Sequence, residues 1–166
     1  TEMNPWLLPN EFEIADALRA RFGAGVPLQI IDVQSPMDIA ALIWDKERLF
    51  TAMIDAPEAV RALAAKVRLF MTAFFDEWFR RYGTEYIAHC PDYFISGGLT
   101  LSEDEIGAVS AAMFREFFRD ELVVLSERYG GLGMHCCADS RHQWENLRDL
   151  PGLKALNLCC PPSRDG

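Results

Sequence analysis

Basic residues are scarce in this chain: 16 Lys and Arg stand against 25 Asp and Glu, a formal net charge of −9. That balance speaks against a nucleic-acid surface and against attraction to anionic membranes. No run of about 18 apolar residues occurs, so no membrane span is expected. The opening residues, Thr1 to Trp6, lack the basic and apolar regions of a signal peptide. They also lack an initiating methionine, as expected of a processed or excised piece. No low-complexity linker and no fixed-period repeat divides the 166 residues, and this length suffices for one domain with a real core. Cysteine is limited to five residues, four of them in the adjacent pairs Cys136-Cys137 and Cys159-Cys160. Adjacent thiols do not easily bridge to each other, so a disulfide framework is not expected. A reduced, cytoplasmic setting fits better.

What is present is a clear alternation of patterns. Asn10 can cap a helix over about 11–22, ended by Gly23 and Gly25. The run PLQIIDV (27–33) is apolar and β-branched and predicts a strand. Ser35-Pro36 is a cap followed by proline at the first helical position, predicting a helix to about Trp44. A second helix follows over 46–54. The longest helix is expected from about Pro57 to Arg81, with Val60, Leu63, Val67, Phe70, Phe74 and Trp78 on its buried stripe. A short strand is expected within 85–88 and another at 98–102. Ser110 caps a helix to about Tyr129, with Phe114, Phe117, Phe118, Leu122 and Leu125 inward. Gly131 to Cys137 reads as a strand. Asp139 or Ser140 then caps a short helix to about Leu150, and LKALNL (153–158) reads as a last strand. Strands alternating with helices imply a parallel α/β sheet.

In parallel α/β folds, functional groups gather at the carboxyl ends of strands. Asp32 and Gln34 end the first strand here, and Glu103-Asp104-Glu105 follow the second. His135 and Cys137 end the third, and Cys159 and Cys160 the fourth. Side chains alternate along a strand, so His135 and Cys137 share a face and Cys136 takes the other. An imidazole and a thiolate about 7 Å apart on one side of a strand end make half of a zinc site. Cys159 lies one strand-helix-strand step after Cys137 and is a candidate third ligand; a residue beyond position 166 is an equal candidate. Zinc there would hold a substrate thiol as a nucleophilic thiolate. The plainer reading is a strand end with buried thiols and a hydrogen-bonded histidine. Asp104 or Glu105 could accept a proton or orient substrate, and crowded carboxylates would raise one pKa. Otherwise the acidic run is a solvated loop. His89 reads as a loop hydrogen-bonder and His142 as a surface residue. The aromatics at helical spacing read as core.

Three segments carry a resemblance: Asp32 to Leu63, Ser102 to Phe118, and GMHCCADSRHQWENLRDLPGLKALNL from Gly133 to Leu158. In order and spacing they resemble the uroporphyrinogen decarboxylase superfamily, in the middle portion of that family's chain. The resemblance implies a (β/α)8 barrel with its pocket at the carboxyl ends of the strands. His135-x-Cys137 resembles the cobalamin-linked methyltransferase branch, in which H-x-C and a later cysteine bind zinc and activate a thiol. Cobalamin-independent methionine synthase likewise uses H-x-C and a ligand one strand later, near where Cys159 falls. Asp104 or Glu105 matches an acidic position of the superfamily's pocket. The implied partners are a corrinoid protein and a small thiol. The decarboxylase branch needs no metal and supplies an alternative, decarboxylation of a porphyrinogen-like acid. A non-catalytic half-barrel binding module is the other. A full barrel takes about 250 residues. Residues 1–166 are therefore expected to form one partial barrel domain, with exposed sheet edges through which it could pair with another copy.

Overall fold

The computed structural model describes residues 9–89 and 93–158. The described elements run α1 (Pro9–Phe22), α2 (Pro36–Trp44), α3 (Lys46–Asp55), α4 (Pro57–Tyr82), β1 (Ile87–His89), β2 (Tyr93–Ile95) and β3 (Leu99–Ser102). They continue with α5 (Ala111–Phe117), α6 (Arg119–Tyr129), β4 (Leu132–Cys136), α7 (Trp144–Arg148) and β5 (Leu153–Leu158). β3, β4 and β5 form a parallel sheet in that order, and β1 pairs with β2 as an antiparallel hairpin. The fold is α/β, as the alternation predicts. No described helix is long and apolar enough to cross a membrane.

Local chemistry accounts for the element boundaries. Ser35 caps α2: its hydroxyl accepts the Asp38 N–H at 3.0 Å, and Pro36 occupies the first helical position. Gly130, with φ 78°, ends α6 in the left-handed conformation that favours glycine. α4 buries Val60, Ala64, Val67, Met71, Phe74, Phe75 and Trp78. This stripe differs from the predicted one, since Phe70 is exposed and Met71 and Phe75 point inward. The helix expected over 110–129 is two helices. Phe118 leaves helical backbone at φ −130°. Phe117 and Phe118 are both buried at the break.

The predicted first strand is a correction. Residues 27–33 make no strand; only Gln34 bridges Ser102, in parallel sense. Ser35 N–H donates to Ser102 O at 2.7 Å, and Ser102 N–H to Val33 O at 2.9 Å. The burial pattern explains why the run fails as a strand. Ile30 and Val33 are the buried residues, three apart rather than two, while Ile31 and Asp32 are exposed.

Register then sets the faces. Leu99, Leu101 and Met134 pack in the helical layer with Leu132 and Cys136. Thr100, Ser102, Gly133 and His135 point the other way. The β1–β2 hairpin covers part of this second face: Thr100 Oγ1 donates to Ala88 O at 3.2 Å, and the Tyr93 ring lies over Gly133. A Cβ on residue 133 would stand 2.7 Å from the Tyr93 ring, so only glycine admits that approach. β4 and β5 pair with one irregularity. Leu132 faces Leu153 but Gly133 faces Ala155, so Lys154 is an extra residue and His135 comes opposite Asn157.

Candidate metal centre

The carboxyl ends of β3 and β4 bring three of the predicted site residues together. Asp104, His135 and Cys137 each offer a ligand atom, all within 4.8 Å of one another. His135 Nε2 and Cys137 Sγ are 2.9 Å apart. Cys137 follows the last residue of β4, and there the side chains lean together, closer than a regular strand spacing gives. His135 is half-buried and Cys137 exposed. Cys136 faces the helices as expected, and burial pushes its thiol up. A buried thiol of raised pKa is a poor nucleophile.

The histidine ring is oriented from the next strand. His135 Nδ1 lies 2.6 Å from Asn157 Oδ1. A carbonyl oxygen only accepts, so Nδ1 carries the proton and the Nε2 lone pair is turned toward Cys137. This is the outer partner that a metal-binding histidine usually has. Asp104 Oδ1 accepts the Cys137 N–H at 2.5 Å, tying the two strand ends together.

Below and beside these groups lies a set of acids. Asp38 is buried and accepts the N–H groups of Asp104 and Glu105, each at 2.8 Å. Burial pushes its pKa up to about 6 against these two bonds, with the charges of Asp104 and Glu105 adding to the rise. Glu103 is fully buried on the helix side of β3. Burial and then the Asp38 charge raise it well above the usual carboxylate range. The Ser35 hydroxyl lies near enough to favour its anion, yet neither Glu103 oxygen has a hydrogen bond of good geometry. Glu103 is therefore a poorly satisfied acid. Glu105 turns to Lys46, whose Nζ is 2.7 Å away. A cleft of about 250 Å³ opens beside them, lined among others by Gln34, Asp38, Lys46, Asp104 and Glu105.

Of the other candidates, Asp32 accepts from Ser102 Oγ at 2.7 Å and Gln34 reaches toward Asp32. The Asp32 carboxylate is outside the close Asp104–His135–Cys137 group. His142 is exposed and its Nε2 meets Val109 O at 2.8 Å. Cys90, Cys159 and Cys160 lie outside the described residues. Sequence reasoning missed Asp38, Asn157 and Tyr93. Asp38 reads as an ordinary first-turn helix acid. The signal for Asn157 was the counting of a strand register, and for Tyr93 the breaker at Pro91.

The donor set suits zinc, which takes imidazole nitrogen, thiolate sulfur and carboxylate oxygen. His135 and Cys137 would hold it, with Asp104 in place as a third donor. No protein-family model matches this chain, and no curated protein matches it. Among solved structures it is similar to a methyltransferase from Methanosarcina mazei, with a TM-score of 0.61 and 13% sequence identity. The likeness covers 87% of this chain and 39% of that one, so this chain spans well under half of its structural relative. At that identity the shared property is the fold.

Proposed function

We propose that this chain is part of a zinc-dependent methyltransferase of the uroporphyrinogen decarboxylase-like type, moving a methyl group between a corrinoid protein and a small thiol. One observation carries the reading: His135, Cys137 and Asp104 converge at adjacent parallel strand ends, with His135 pre-set by Asn157. The likeness to a methyltransferase fold and the H-x-C resemblance support it. The remainder of a (β/α)8 barrel is part of the same proposal. Zinc bound there would lower the pKa of a substrate thiol and hold it as thiolate.

The chain's own residues have distinct tasks. Asn157 keeps the proton on His135 Nδ1, so Nε2 is available as a ligand atom. Asp104 fixes the Cys137 amide and offers its carboxylate as the third donor. Cys159 is the alternative third ligand. Glu105, paired with Lys46, borders the cleft where substrate would be oriented. The metal-free decarboxylase reading is weaker on electrostatic grounds. Asp38, Asp104 and Glu105 line the cleft and Lys46 is already paired, so a polycarboxylate would meet like charge.

Elemental analysis of protein prepared without added metal tests the proposal. About one zinc per chain is expected, lost in His135→Ala and Cys137→Ser. Methyl transfer from methylcobalamin to a small thiol, followed by the cobalt absorbance, should disappear with the zinc. Absence of zinc, or zinc unaffected by both substitutions, sinks the proposal. Cobalt(II)-substituted Asp104→Asn and Cys159→Ser separate the two candidates for the third ligand, because only loss of a thiolate removes sulfur-to-cobalt charge-transfer intensity.

A further inference from the structure

We propose that Asp38 is a positioning residue of this centre, holding the Asp104 arm in place from the first turn of α2. The inference rests on the metal-site reading above and names a residue that neither the H-x-C pattern nor the acidic run singles out.

The geometry is specific. Asp38 Oδ2 accepts the Asp104 N–H and Asp38 Oδ1 the Glu105 N–H. Two consecutive amides each take their own oxygen, which requires a carboxylate. An asparagine offers one acceptor oxygen and would set its NH2 against the second N–H. Asp38 is 4% exposed. An acid in a helix's first turn interacts with the helix dipole as well from the surface, so dipole compensation does not explain a buried one. Its hydrogen bonds go instead to a loop distant in sequence.

That loop needs an external tether. Asp104 stands at the start of a 3-10 turn (Glu105–Ala108), and its side chain makes no cap to that turn. The side chain instead accepts the Cys137 N–H. A line of contacts therefore runs from the α2 cap at Ser35, through Asp38, to the 104–105 amides, to the Asp104 carboxylate and on to the Cys137 backbone. Each joint is a hydrogen bond of 2.5–3.0 Å. Losing the middle joint frees the loop to rotate and moves the Asp104 carboxylate relative to His135 and Cys137.

Competitive titration of the metal-free full chain with zinc and with cobalt(II) tests this. Asp38→Asn and Asp38→Ala should weaken metal binding by about 10–100-fold, the usual cost of an outer partner, and shift the cobalt(II) absorption bands. Asp38→Glu, which keeps two acceptor oxygens, should recover part of the affinity. Ser110→Ala, at the cap of α5 away from the site, should lower the melting temperature but leave metal affinity unchanged. A wild-type affinity and spectrum in folded Asp38→Asn would overturn the inference while leaving the metal reading intact. So would an equal affinity loss in Ser110→Ala, which would reduce Asp38 to a general stability role. No metal binding by the parent chain would instead sink the metal reading itself, and this inference with it. A second measurement needs no variant: zinc should slow hydrogen exchange at the Asp104 and Glu105 amides of the parent chain. Unchanged exchange with zinc bound would also overturn the inference.

Discussion

Two sets of carboxylates in this molecule are managed in opposite ways. Asp76 and Glu77 lie on the outer side of α4 with arginines beside them. Arg128 Nη2 donates to Asp76 at 2.6 Å, and Arg80 and Arg81 both reach Glu77. Hydrogen bonds to Arg80 and then Arg81 hold Glu77 down at about 2. At the ends of β3 and the start of α2, Asp38 and Glu103 are buried with other acids and their pKa values rise. The first set belongs to an ordinary stabilised surface. The second keeps like charges together away from water, which costs stability and is a mark of functional sites. The same residue type thus reports different things, and the local cation supply decides which.

The contrast can be broken at several points. The largest effect should come from beneath the paired set. Phe75→Ala, on the fully buried face of α4, should cost about 3–5 kcal/mol in denaturant melts. A loss below about 1 kcal/mol would mean that α4 is not anchored by that face. Next, Glu103→Gln in the metal-free protein at pH 7.5 should raise stability by about 1 kcal/mol or more, because an acid whose burial penalises ionisation is exchanged for a group that never ionises. Destabilisation instead would show that Glu103 has effective partners and does not belong with the costly set. The smallest effect should lie at Glu77. Its folded value is below its unfolded one, so its contribution is complete above pH 4.5 and is lost as pH falls toward 2. Glu77→Gln should flatten the stability profile in that window and cost less than about 1 kcal/mol at pH 7, since the pairs touch solvent. An unchanged acid limb would remove Glu77 from the stabilised set.

Much of this was legible in the sequence. Strand alternation placed His135 and Cys137 together and Cys136 apart, and the caps at Ser35, Ser110 and Gly130 stand where expected. The α/β order follows from the same patterns. The errors have physical causes. PLQIIDV has strand composition, yet its buried residues are three apart and only Gln34 reaches β3. Phe118 interrupts a helix that periodicity continued, because apolar spacing runs unchanged through a local change of backbone angle. Asp38 was invisible because its partners are backbone amides 66 and 67 residues away, and backbone amides leave no trace in residue identities.

The extra residue at Lys154 has a consequence of its own. With an uninterrupted ladder from Leu132 and Leu153, His135 would stand opposite Leu156, and Asn157 would turn toward the helices. The imidazole would then meet a hydrocarbon instead of an amide oxygen. The irregularity at Lys154 is therefore part of what fixes the imidazole's tautomer, and a one-residue slip that straightened the ladder would disarm the centre with every one of its donor side chains still in the chain.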